Sequence, residues 1–154
     1  FVIVSCTKGA KSPDGLVKVF AKDIATKKLD LDYYEKFTTG EMWEEIKEMG
    51  EEDFSKNTRM ANVTGVKVKI LSKTCESDKC VITYNVKYIT KNSEEGKFES
   101  EIKKIAEVHK SEEYWKMAKV TNLKTFHESS KPINPLTDDY PKTEMDDGVS
   151  EETE

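Results

Sequence analysis

Apolar positions along the chain follow two different periods, and the change from one to the other falls near Asn62. Before it, Leu16, Val17, Phe20 and Ile24 recur at the 3.6-residue spacing that gathers side chains on one face of a helix. Ser12, Pro13 and Asp14 stand just ahead of them. A serine side chain satisfies free amides at a helix start, and proline, which lacks an amide, is tolerated at the first helical position. A shorter piece beginning at Asp32 carries Tyr33, Tyr34 and Phe37. Thr38-Thr39-Gly40-Glu41 then has the spacing of a capping box. Met42, Trp43, Ile46 and Met49 form the next apolar stripe, closed by Gly50, where a left-handed cap is easiest. Glu51 to Lys56 reads as one more turn, anchored by Phe54.

Beyond Asn62 the period becomes 2. Val66, Val68 and Ile70 alternate with Lys67 and Lys69, and Ile82, Tyr84, Val86 and Tyr88 alternate with Thr83, Asn85 and Lys87. Each strand therefore has one greasy face and one wet face. Asn92 to Gly96 supplies a turn, and Phe98, Ile102, Ala106 and Val108 continue in a long strand in which Lys103 and Lys104 point to solvent or mark a bulge. Ser111 to Glu113 turns again into a last strand, Tyr114 to Phe126, with Trp115 and Met117 inward. The short connections make this a meander of about four antiparallel strands. Helices followed by a one-faced antiparallel sheet form an α+β fold in which the helices cover the apolar side.

Cys75 and Cys80 flank a polar four-residue loop between two strands, so pairing across the hairpin brings their β-carbons within disulfide reach. Free thiols are the second reading; two sulfurs with no nearby histidine do not fill a zinc shell. Pairing Cys75 with Cys80 places Val68 opposite Lys87, which sets apolar against charged on one face. A bulge between Leu71 and Thr74 restores the faces, because it adds one residue to one strand. So short a loop stabilises the fold by about 2 kcal/mol or less, and the bond serves mainly as a marker of an oxidising compartment.

Charge adds a boundary. From Glu128 to Glu154 the chain has nine acidic and two basic residues with three prolines and no period, which reads as a disordered acidic tail. That stretch has a net charge of −7, so residues 1–127 carry +2 of the total of −5. A nearly neutral domain with lysines and glutamates interspersed points away from nucleic acid as a partner. No glycine-rich phosphate loop and no metal-ligand cluster occurs in the sequence, so neither cofactor nor metal is expected. Glu44-Glu45 and Glu51-Glu52 are adjacent on helix surfaces and diverge by about 100°; paired carboxylates must converge instead. His109 and His127 sit beside lysine or glutamate without a nucleophile at motif spacing.

At the other end, Ile3-Val4-Ser5-Cys6 resembles the lipobox of bacterial lipoproteins, in which the peptidase cuts before the cysteine and the thiol carries a diacylglycerol. The resemblance implies a signal-peptide remnant over 1–5, a lipidated Cys6 with a spacer over 6–12, the domain over 13–127 and the tail over 128–154. Phe1 to Val4 as a buried first strand is the competing reading. The order of elements, with VTGVKVKIL, CVITYNVKYI, KFESEIKKIAEVHK and EEYWKMAKV as its strands, resembles the cone-shaped nuclear transport factor 2-like superfamily, and within it small bacterial envelope lipoproteins. A cystatin-like sheet wrapped on one helix is the other reading.

What the resemblance implies is a bacterial cell-envelope protein anchored to the membrane through Cys6, in the outer membrane if the host is Gram-negative, and the lack of a catalytic set makes it non-enzymatic. It would bind a protein partner or a small apolar ligand, and a homodimer through the sheet is a habit of the superfamily. The expected apolar pocket is lined by Met42, Trp43, Tyr84, Tyr88, Trp115 and Met117. The superfamily also contains isomerases and dehydratases with an acid or histidine inside the cone. The inward positions inferred here hold neither, so the interior is expected to lack ionisable groups. A secreted inhibitor-type interaction protein is a third alternative.

Overall fold

The computed structural model describes residues 10–49, 63–92 and 96–129. Cys6, Gly50, the turn expected over Glu51 to Lys56 and the tail beyond Ser129 lie outside the described residues. Three helices, α1 (Pro13–Thr26), α2 (Leu31–Phe37) and α3 (Gly40–Glu48), precede four strands, β1 (Val63–Glu76), β2 (Lys79–Asn92), β3 (Gly96–Ser111) and β4 (Tyr114–Ser129). The strands form one antiparallel sheet in the order β1-β2-β3-β4. The α+β class, with helices on one face of a four-stranded antiparallel sheet, is therefore the fold of this chain.

Local chemistry sets the helix starts. Gly15 donates its amide to Ser12 Oγ at 3.1 Å, with Pro13 at the first helical position. Tyr33 donates its amide to Asp30 Oδ1 at 2.9 Å, so the cap of α2 falls earlier than Asp32. The capping box at α3 does not form. Thr39 is the cap residue and makes no side-chain cap bond. The Thr38 hydroxyl, fully enclosed, instead donates to the Tyr34 carbonyl at 2.6 Å. The same carbonyl accepts the Thr38 amide at 2.8 Å, so Thr38 closes the end of α2 through both its backbone and its side chain.

Cys75 and Cys80 are joined by a disulfide at the tip of the β1–β2 hairpin. The register shift expected beside it is present between Ile70 and Ser72, with Leu71 as the extra residue. Val68 then faces Val86 and Ile70 faces Tyr84, while Lys73 and Cys75 face Ile82 and Cys80. Lys73 thereby reaches across to α1 and pairs with Asp14 at 3.1 Å. A second shift on β1, between Thr64 and Lys67, was not apparent in the apolar pattern; it contains Gly65 at φ +64, a left-handed conformation that glycine tolerates without strain. On β4, shifts between partners 103/104 and 107/108 leave Leu123 and Ala118 as extra residues. Bulges of this kind bend a sheet and increase its twist, which curves it around the helices.

The helix-covered inner face buries Ile82, Tyr84, Val86 and Tyr88 of β2, Ala106 and Val108 of β3, and Met117 of β4 against Leu16, Val17 and Phe20 of α1. Phe20 also meets Tyr34 edge-on at 6.0 Å, and Tyr33 packs on Phe37 at 4.5 Å, so α2 docks through aromatic rings. The Tyr33 hydroxyl donates to the buried Asp23 at 3.0 Å, and Lys27 pairs with the same carboxylate at 2.8 Å. The outer edge of β4 is not left open at its start. Trp115 donates its amide to the Ala10 carbonyl at 2.9 Å, and Thr39 donates to the Met117 carbonyl at 2.8 Å.

The outer face collects charges that are dispersed in the sequence. Lys69, Asn85, Lys103 and Lys124 are Cα partners in one row across all four strands. In the next row Lys87 pairs with Glu101 at 3.0 Å, so acid offsets base beside it. His109 stands half-buried on this face between Lys79 and Lys116.

Candidate functional site: an apolar cleft between the first helix and the sheet

Alternation on β2 aims Tyr84, Val86 and Tyr88 at the helices, and even-numbered positions of β3 do the same for Ile102 and Lys104. On β4 the extra residue Ala118 changes the parity, so that after Trp115 and Met117 it is Val120 and Asn122 that face inward. Opposite them, α1 presents Phe20, Ala21, Ile24 and Ala25, and α3 presents Met42. Two alanines four residues apart share one helix face, and their short side chains cannot reach the sheet. Between them lies a cleft of about 320 Å³, within the size range of small-molecule sites.

The residues expected to line an apolar pocket divide here. Met42, Tyr84 and Tyr88 border the cleft. Met117 is wholly buried and Trp115 nearly so, at the other end of the inner face in the rows nearest the disulfide. Trp43 packs partly buried against the core, with the Lys47 ammonium 5.6 Å from its ring centre. Strand alternation told which face these residues share; it carried no information on which end of α1 fills the space and which does not.

The expectation of an interior without ionisable groups is overturned by Lys104. Its Cα partners are Tyr84 on β2 and Asn122 on β4, so a phenol, an ammonium and an amide form one polar row across a described lining that is otherwise apolar except for the Tyr88 hydroxyl. Burial lowers the Lys104 pKa, and burial pushes the Tyr84 hydroxyl up to about 12. Among the described residues neither side chain has a hydrogen-bond or ion-pair partner. The strict period of 2 from Phe98 through Ile102 to Ala106 already assigns Lys104 to the inner face. Its charge argued for solvent, and parity prevailed.

Among the described residues, no carboxylate or imidazole borders this cleft. A smaller hollow of about 220 Å³ adjoins it at Met42 and Val120 and carries Glu41 and Lys119, which pair with each other at 3.1 Å. No group of three or more His, Cys, Asp or Glu side chains with metal-binding geometry occurs among the described residues. Nor is any described helix long and apolar enough to cross a membrane.

In comparisons with known proteins, no family model and no curated protein matches the sequence, and no solved structure matches the fold.

Proposed function

We propose that this chain is a non-enzymatic binding module whose helix–sheet cleft takes a small apolar ligand, held at the envelope membrane by a lipid on Cys6. The observation that carries the reading is the cleft itself: about 320 Å³ bounded mainly by aliphatic and aromatic side chains and roofed by Ala21 and Ala25. Apolar surface left uncovered in this way gains free energy when a ligand displaces its water. The order of helices and strands supports a nuclear transport factor 2-like cone, whose mouth would correspond to the cleft. Ile3-Val4-Ser5-Cys6 supports the anchor, and the Cys75–Cys80 disulfide supports an oxidising compartment.

Binding is favoured over proton-transfer catalysis by the composition of the lining, in which Lys104 is, among the described residues, the one side chain with an ionised form near neutral pH. Titration calorimetry of the chain with octanol tests the ligand site. Saturable binding that disappears in Ala21→Phe, which fills the cleft from the helix side, is the expected result; no heat above dilution contradicts the reading. The anchor is tested by intact mass in a lipoprotein-processing bacterium. Wild type should carry a lipid-sized increment that Cys6→Ala lacks, and an unmodified wild-type Cys6 removes the anchor.

A further inference from the structure

An ammonium facing an apolar space without a counter-ion is costly to desolvate, and the cost falls when an anion pairs with it. Lys104 meets that description. It borders the cleft, burial lowers its pKa, and no carboxylate among the described residues reaches it. Its two neighbours in the same cross-strand row are hydrogen-bond donors: Tyr84, buried, with a hydroxyl that bonds to no other described residue, and Asn122, exposed at the rim. Apart from the Tyr88 hydroxyl, the rest of the described lining is apolar. A neutral hydrocarbon would fill the space and leave all three polar groups without partners, whereas an acidic group at one end of the ligand satisfies them together.

We propose that the cleft selects an amphiphile with one acidic group: an apolar body between α1 and the sheet, and a carboxylate paired with Lys104, with Tyr84 and Asn122 donating beside it. This rests on the reading of the cleft as a ligand site and specifies the ligand class. The volume sets its size. About 320 Å³ equals roughly ten waters at about 30 Å³ each, which suits a molecule of about ten non-hydrogen atoms, such as octanoate.

Calorimetric titrations of the chain with octanoate, octanol and octylamine, repeated on Lys104→Met and Lys104→Arg, separate the layers of the argument. Octanoate should bind about tenfold more tightly than octanol, with octylamine weakest, since a charge-assisted bond to a carboxylate is worth roughly that factor. Lys104→Met should abolish the preference, so that octanoate binds no more tightly than octanol to that variant, while Lys104→Arg should keep it. Octanol binding as tightly as octanoate, or octylamine matching it, overturns the acidic-ligand proposal and leaves the apolar site standing. A preference for octanoate that survives in Lys104→Met overturns the role of that lysine. Failure of all three to bind overturns the ligand site as well. Should Lys104→Met not fold, the three-ligand comparison in the wild-type chain and in Lys104→Arg still decides.

Discussion

The two ends of the inner face are made from the same four strands and lie under the same helix, yet one is solid and the other hollow. At the disulfide end, Leu16 and Val17 of α1 press on a sheet surface of Cys80, Ile82, Ala106, Val108 and Met117, each of which is fully or almost fully enclosed. At the other end the helix turns Ala21 and Ala25 toward Tyr84, Val86, Ile102 and Lys104, and a cleft remains. The difference lies in the helix. Branched and long side chains in its first half fill the space, and two alanines in its second half leave it open. Close packing and open space thereby fall to separate halves of one contact.

Truncating a large side chain at the solid end should cost most. Leu16→Ala removes atoms from a site that cannot collapse and is expected to lower unfolding free energy by about 3–5 kcal/mol in urea denaturation. Met42→Ala, at a partly buried position bordering existing space, should cost about 1 kcal/mol. Equal losses at the two positions would break the distinction between the ends.

Removing the disulfide with the double change Cys75→Ala, Cys80→Ala should cost about 2 kcal/mol or less, because the closed loop is short. Ligand binding at the far end should be unaffected. A comparable loss, about 1–2 kcal/mol, is expected for Gly65→Ala. There a β-carbon would sit 3.6 Å from Ile89 Cδ1, an ordinary contact, so the cost comes from φ +64 alone.

The smallest effect concerns Lys104. Its folded-state pKa lies below the unfolded value of about 10.4, so below the folded pKa both states are charged and the folded state bears the full burial penalty. Stability contributed by this residue therefore rises as pH climbs from the folded pKa toward about 10. Tyr84 acts in the opposite sense: its hydroxyl is raised to about 12, so its contribution is intact below about 10 and is lost between about 10 and 12. Lys104→Met should raise the melting temperature slightly at neutral pH and flatten the rise of stability on the way to pH 10. A lower melting temperature in the variant would mean that the ammonium has a favourable partner.

Much of this architecture was legible in the chain. Ser12-Pro13 marked the first helix, period-2 alternation marked the strands, and the clash between Val68 and Lys87 required the bulge found at Leu71. Three things were not legible, each for a physical reason. The shifts at Gly65, Ala118 and Leu123 alter parity without altering composition, and the one at Ala118 is why Val120 and Asn122 were missed on the inner face. Thr38 had the spacing of an N-cap for α3 but serves as the C-cap of α2, its hydroxyl donating to the Tyr34 carbonyl, and spacing alone does not choose between the two helix ends. The place of the cleft depends on Ala21 and Ala25, small residues that add nothing to an apolar stripe; their significance appears only once the sheet lies opposite.

The claim on which the account turns is that the hollow end, and not the solid end, receives a ligand. Methyl-resolved NMR during titration with octanol tests it directly. The account predicts saturable shifts at Ile24, Met42, Val86, Ile102 and Val120, with Leu16, Val17, Val108 and Met117 unmoved. Shifts centred on the second group, or none in either, would contradict it.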